Sequence, residues 1–409
     1  MSGLVLVVFA AVYLGMAIGR WPGLKVDRTG IALLGAIVLY GSGALDGAAV
    51  LAAIDFPTLV VLFGLMILSA QFAACGFYDW CSVRIATAAL PPAALLAITV
   101  AAAGILSAVL ANDVVVFAMT PMLCAGLLRR GLDPRPFVIA LAGGANAGSA
   151  ATIIGNPQNI LIGEVGPLDF WPFLIACAPP ALAALASVFL VVWWQWRRRF
   201  QVTEIRRDGL APPRLDRPGL AKASFATFLL LLLFATPLPH VEGVLLVAGY
   251  LLISRRLATR TMLGMVDWHL LVLFGGLFVV TAALAQTGLP DDAIRWLEAR
   301  RLPPENLAVL VPLTLLGAST IGNVPLVVLL LSVVPALSEG GLYALAVLST
   351  LAGNLMVVGS LANIIAVERA RDAGVVLTFA EHARCGVPMT LLSFLLALAW
   401  IYGMGYAQV

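Results

Sequence analysis

Apolar residues recur from Gly3 to Tyr406 in runs separated by short clusters of Gly, Pro and charge. Runs of about 18 residues or more cross a ~30 Å hydrocarbon core as helices. Uninterrupted spans fall near 3–19, 30–43, 57–75, 174–195, 223–236, 242–254, 270–287 and 387–405. Two more, near 137–163 and 342–366, are interrupted by Gly and Asn. Two long segments, 92–128 and 307–335, carry central polar breaks, Ala111-Asn112-Asp113 and Gly322-Asn323. These read as re-entrant helical hairpins that enter and leave on one side. The first stretch, Leu4 to Ile18, lacks a basic leading segment and a small-residue cleavage site, so it reads as a retained span.

Composition fits this pattern: 62% of the residues are hydrophobic and 11% charged, against about 45–50% and about 25% in soluble domains. A soluble enzyme is excluded. The five cysteines are scattered, the three histidines isolated, and neither a metal cluster, a disulfide framework nor a cofactor is indicated. The basic pI has its explanation in topology, not in a nucleic-acid partner. With the N-terminus outside, 21 of the 24 Lys and Arg residues fall on one side, while the acidic residues divide evenly. That side is then the cytoplasm of a bacterial-type inner membrane, with both termini outside. The polar, Pro-containing segment 197–222 reads as a cytoplasmic linker, and Trp193, Trp194 and Trp196 beside it as an interfacial anchor.

The chain repeats itself. "DFPTLVVLFGLMILSAQFAACG" from Asp55 aligns without gaps to "DWHLLVLFGGLFVVTAALAQTG" from Asp267, and "GSAATIIGNPQNI" from Gly148 to "AGNLMVVGSLANI" from Ala352. Asn112 and Asn323 hold matching places in the hairpins. Five crossings per half make the second copy run opposite to the first. The expected organisation is a first repeat over 1–196, the linker 197–222 and an inverted repeat over 223–409. The fold class is an all-α membrane protein, an inverted-repeat secondary transporter with about ten transmembrane helices, two re-entrant hairpins and two broken helices.

Irregular backbone survives at membrane depth only where it lines a cavity or contacts protein, because an unpaired amide or carbonyl there costs several kcal/mol. Gly lets the chain unwind, and Pro157 removes a helix hydrogen bond. Asn both donates and accepts while staying neutral. Asn112, Asp113, Asn146, Asn156, Asn323, Asn354 and Ser360 are therefore the candidate substrate residues. Asp113 with Ser149, Thr152, Gly155, Asn159, Gly359 and Asn363 are the candidates for ion coupling. The alternative is that these small polar residues only join neighbouring helices.

Asp113 is the one acidic residue away from the loops, with no Lys or Arg in a span to neutralise it. An ionised carboxylate at that depth costs at least ~2.5–3.5 kcal/mol. It would be protonated, hold a cation, or alternate between the two; the alternative is a hairpin cap that accepts helix-start amides. Glu164, which follows the first break, reads as a surface residue, and His269 as a structural residue at a membrane boundary.

"ANDVVVFAMTP", "IGNVPLVVLLL" and "GNPQN" resemble the ion transporter superfamily, closest to its arsenite-permease and related anion-permease branch. Sodium-coupled dicarboxylate symporters and sodium/proton antiporters are related branches. The resemblance implies an elevator mechanism and a homodimer. It also implies one half-site from Asn112, Asn146 and the Gly155 to Asn159 loop, mirrored by Asn323 and the Gly353 to Asn363 region. Hairpin tips that read Ser-Asn-Thr in the dicarboxylate branch lack their hydroxyls here. The expected activity is secondary active transport of a small anion or neutral oxyacid, coupled to sodium or protons. Arsenite efflux, sodium/proton exchange and a channel are the alternatives, and a membrane enzyme is not expected.

Overall fold

The computed structural model describes residues 2–406 apart from 20, 22, 201–213, 301, 305 and 335–336. The described residues are helical throughout, without a strand. The first half runs α1 Ser2–Ile18, α2 Arg28–Gly41, α3 Gly47–Ala53, α4 Phe56–Ala74, α5 Phe77–Thr87, α6 Pro92–Val109, α7 Asn112–Arg129, α8 Arg135–Ser149, α9 Pro157–Val165 and α10 Phe170–Trp196. The second runs α11 Arg217–Leu233, α12 His240–Leu252, α13 Thr259–Leu263, α14 Trp268–Ala285, α15 Leu289–Glu298, α16 Leu307–Ile321, α17 Asn323–Val333, α18 Glu339–Ala352, α19 Leu361–Asp372 and α20 Phe379–Gly403.

By length and composition, six of the described helices can each cross a membrane: α4, α6, α7, α10, α14 and α20. Every span and both hairpin segments expected from hydrophobicity correspond to helices, most within a few residues, although α11 starts six residues and α20 eight residues before the expected spans. Four short helices, α3, α5, α13 and α15, fall between the expected spans. The segment read as a linker is shorter than expected, because α11 already begins at Arg217; its residues 201–213, like the end of the second hairpin at 335, lie outside the described residues.

The aligned positions of the repeat have physical causes. Asp55 and Asp267 cap α4 and α14, their carboxylates accepting from Thr58 N–H (2.8 Å) and Leu270 N–H (3.0 Å). Gly76 and Gly288 end those helices in the left-handed region, at φ 76° and 73°, and start α5 and α15. Gly64 and Gly276 are points of close helix approach. A Cβ on Gly64 would stand 2.2 Å from Val244 of α12, and one on Gly276 would stand 2.8 Å from the Ala32 backbone of α2. α4 thus packs on α12 and α14 on α2, so each half is completed by a helix of the other.

The hairpins cross over in the same way. α6 lies tightly on α8, where a Cβ on Gly148 would stand 2.2 Å from the Gly104 carbonyl oxygen. The second leg of the first hairpin, α7, packs on α19, and its counterpart α17 packs on α9. At ~1.5 Å per residue, each leg of the first hairpin is long enough to span the bilayer alone. Its tip nevertheless ends at the break between α8 and α9, where Asn112 N–H donates to Gly155 O (3.2 Å). Its base is closed by Arg130, whose guanidinium donates to the Ala86, Ala88 and Leu90 carbonyls.

Candidate substrate and ion-coupling site

Two breaks lie at the centre of the molecule. In the first, α8 ends at Ser149, and α9 restarts at Pro157 with Asn156 as its cap, the side chain accepting from Asn159 N–H (2.9 Å). Asn159 Nδ2 turns back and donates to Ser149 O (3.2 Å) and Thr152 O (3.0 Å). Gly155 is required by space: a Cβ there would stand 2.4 Å from Ser149 O and 2.8 Å from Ser107 O. In the second break, a single 3₁₀ turn Val357–Gly359 separates α18 from α19. Asn363 Nδ2 donates to Gly353 O (2.8 Å) and Met356 O (3.2 Å). The alignment of Gly148 with Ala352 carries Ser149, Thr152 and Asn159 onto Gly353, Met356 and Asn363. One hydrogen-bond pattern is therefore built twice.

The two breaks are joined across the halves. Asn146 Nδ2 donates to Asn354 Oδ1 (2.8 Å) and Asn363 Oδ1 (3.2 Å), and Asn146 Oδ1 accepts from Ser360 Oγ (3.0 Å). In the mirror arrangement, Thr350 Oγ1 donates to Asn159 Oδ1 (3.3 Å) and accepts from Asn156 Nδ2 (3.3 Å) and Gln158 Nε2 (3.2 Å). Asn146 therefore stays with Asn112, as in the expected half-site, but bonds into the second-half break, while Thr350 bonds into the first-half break. Thr350 and Gln158 are participants that the sequence reading did not single out. Thr350 stands opposite Asn146 if the second alignment is extended a few residues upstream, and that was the available signal. All these side chains are buried.

The tips differ. Asn112 Oδ1 accepts from Asp113 N–H (2.9 Å), and Asn112 Nδ2 reaches Asn146 Oδ1 (3.3 Å). Asn323 Oδ1 accepts from Val324 N–H (3.0 Å) in the same manner. Its Nδ2 lies beside Gly353, 3.5 Å from where a Cβ would stand. Gly322, at φ +96°, makes that turn possible. Asp113 is not a helix cap: the cap of α7 is Ala111, without a side-chain hydrogen bond. Asp113 Oδ1 is buried and has no hydrogen-bond partner among the described residues. Its electrostatic neighbour is another carboxylate, Asp267.

Other expectations change. Thr152 Oγ1 donates to Ala108 O, and Ser149 Oγ to Asn146 O (3.0 Å), so both hydroxyls are engaged by backbone. Glu164 is not a surface residue; its side chain is 11% exposed and meets His240 Nδ1 at 3.3 Å, tying α9 to α12. Of the three tryptophans read as an anchor, Trp194 is exposed but Trp196 is buried, with the Arg135 and Arg199 guanidinium groups over its ring. Among the described residues no cluster of His, Cys, Asp and Glu is arranged to hold a metal ion.

Comparison with known proteins supplies a family. The family model described as citrate transporter matches residues 4–347. Inner membrane protein YbiR of Escherichia coli (strain K12) is 31% identical, over 83% of this chain and 86% of its own. Uncharacterized transporter Rv2685 of Mycobacterium tuberculosis is 28% identical over 98% of both chains. The silicon efflux transporter LSI3 of Oryza sativa subsp. japonica is 27% identical over 91% of both.

Proposed function

This chain belongs to the citrate-transporter family of membrane transporters, and from that premise we propose that it is a secondary active carrier for a small neutral oxyacid or singly charged oxyanion, coupled to protons through Asp113. The observation that carries the proposal is the half-buried Asp113 side chain, whose Oδ1 is buried without a partner among the described residues, beside an Asn network that bridges the two halves. A carboxylate in that position is neutralised either by a proton or by a bound cation.

Two features support this choice. Asn112, Asn146, Asn354, Ser360 and Asn363 offer neutral donors and acceptors, so a multiply charged carboxylate such as citrate would meet no cation among them. That neutral set suits a small hydroxylated acid. The silicon efflux relative aligns over 91% of both chains, and an arsenite-like oxyacid has the same chemistry. Secondly, the carbonyls of Ser149, Thr152, Gly353 and Met356, which would be natural sodium ligands at the broken helices, each already accept an Asn side-chain amide. A proton on Asp113 needs no such ligands. Movement of the hairpins and broken helices as one body past α1, α2, α4, α11, α12 and α14, in a homodimer, belongs to the same proposal.

The test is transport in proteoliposomes. Asp113→Asn should abolish uptake driven by a pH gradient while leaving substrate exchange and folding intact. Uptake driven by the gradient at the wild-type rate in this variant would refute the role of Asp113. Loss of uptake when sodium is replaced by choline would refute proton coupling and favour sodium.

A further inference from the structure

A cavity of about 350 Å³ opens on the Lys/Arg-rich side between the end of α4, the first turn of α11 and the loop from α12 to α13. That size is within the ~300–1,000 Å³ of small-molecule sites. None of its lining residues belongs to the Asn network. Lys222, Arg255 and Arg256 line it, with Asp216 as its carboxylate.

Lys222 Nζ donates to Leu251 O (2.7 Å) and Ile253 O (2.8 Å) and lies 5.2 Å from the centre of the Tyr250 ring. These contacts fix its charge at the wall. Arg256 pairs with Asp216 at 3.1 Å, which leaves the exposed Arg255 guanidinium without a partner among the described residues. Asp216, the cap of α11, makes no side-chain hydrogen bond to the first-turn amides, and Pro218 and Gly219 of that turn face the cavity. Pro218 has no N–H, so Gly219 supplies the one helix-start amide of the lining, a position that favours an anion.

A second feature is independent of charge. Gln71 of α4 lines the same cavity, is 5% exposed, and its Oε1 has no hydrogen-bond partner among the described residues. Burying a polar group without a partner is destabilising, and a carboxamide can turn to offer its N–H groups instead.

We propose that this cavity binds a phosphate-bearing anion, held by Arg255 and Lys222 with Gln71 donating from the floor. Its place beside a basic membrane edge fits the phosphodiester headgroup of an anionic lipid. A soluble phosphate has the same chemistry. Binding here does not rest on the transport reading.

The experiment uses the full chain in nanodiscs of phosphatidylcholine with or without phosphatidylglycerol, with retained lipid read by native mass spectrometry. In parallel, detergent-solubilised protein is melted with inorganic phosphate or with chloride of equal ionic strength. Arg255→Glu tests the free cation, Gln71→Leu the floor, and Arg84→Glu, on α5 over the Trp80 ring, is the control. For a lipid site, one phosphatidylglycerol stays with each chain, and Arg255→Glu lowers its occupancy about five-fold or more while Arg84→Glu does not. For a soluble ligand, phosphate but not chloride raises the melting temperature, and Arg255→Glu and Gln71→Leu each reduce the rise. The proposal is overturned if neither ligand distinguishes Arg255→Glu from wild type, or if Arg84→Glu weakens binding equally.

Discussion

Replacing Asn146 by alanine tests whether the two halves are held together through the polar network. The substitution removes four side-chain hydrogen bonds, to Asn112, Asn354, Asn363 and Ser360. Each partner is at most 2% exposed, so water does not readily replace the lost bond. Interhelical hydrogen bonds in membrane proteins average ~0.6 kcal/mol and reach ~1.7 kcal/mol. Four such bonds, with the small cavity that Ala leaves, give a destabilisation of about 2–4 kcal/mol. Reversible unfolding in bicelles would measure it. A double-mutant cycle sharpens the test, because Asn146→Ala and Ser360→Ala delete one shared bond and should be sub-additive by ~0.6–1.7 kcal/mol. A cost for Asn146→Ala below ~0.5 kcal/mol, or strict additivity with Ser360→Ala, would refute the bridging role.

Further outcomes follow from geometry. Thr350→Val removes three described bonds in the mirror arrangement, and should cost about 2 kcal/mol in the same unfolding assay. Gly148→Ala would set a Cβ 2.2 Å from the Gly104 carbonyl oxygen; backbone on both sides cannot step aside, so a loss of about 1–3 kcal/mol or failure to fold is expected. Gly322→Ala forces a side chain at φ +96°, costing about 1–3 kcal/mol and slowing transport through a displaced hairpin tip. Thr378→Ala breaks the capping box that starts α20, and should lower stability by about 1 kcal/mol without changing substrate affinity.

The helices were legible because membrane spans are written in run length, and the breaks because Gly, Asn and Pro stand inside those runs. Short helices such as α5 and α15 were not, since an element of about ten residues carries too little apolar length to register. Their left-handed Gly76 and Gly288 were visible as aligned residues, but alignment alone did not reveal their punctuating role. Burial was the weaker inference. Glu164 and Trp196 looked like boundary residues by position, yet the fold supplies His240 to one and two guanidinium groups to the other. Sequence symmetry also establishes equivalence without establishing partnership. It matches Asn159 to Asn363, but gives no hint that Asn146 pairs with the second-half break and Thr350 with the first. That exchange arises because α8 packs on α19 and α18 on α9, a long-range consequence of inversion.

The departure from symmetry then has a kinetic meaning under the proposed function. If Asn112 and Asn323 correspond, Asp113 stands opposite Val324, so one hairpin carries an ionisable group where the other carries a hydrocarbon. A carrier moving with Asp113 ionised takes an unpaired carboxylate through the membrane, at a cost of ~2.5–3.5 kcal/mol, which slows that step about 100-fold. Loaded and protonated, the same hairpin crosses without this barrier. Exchange, in which the carrier crosses loaded and protonated both ways, should therefore decline as the proton is lost, whereas proton-coupled net flux requires the empty carrier to return ionised and should be slower than exchange by about two orders of magnitude. Asp113→Asn removes the barrier in both directions, so its net flux should become independent of pH and unable to accumulate substrate against a gradient. Paired exchange and net-flux measurements in proteoliposomes across a pH series separate the two cases. Exchange and net flux of equal rate in the wild type would show that the return of the empty, ionised carrier is not the limiting step.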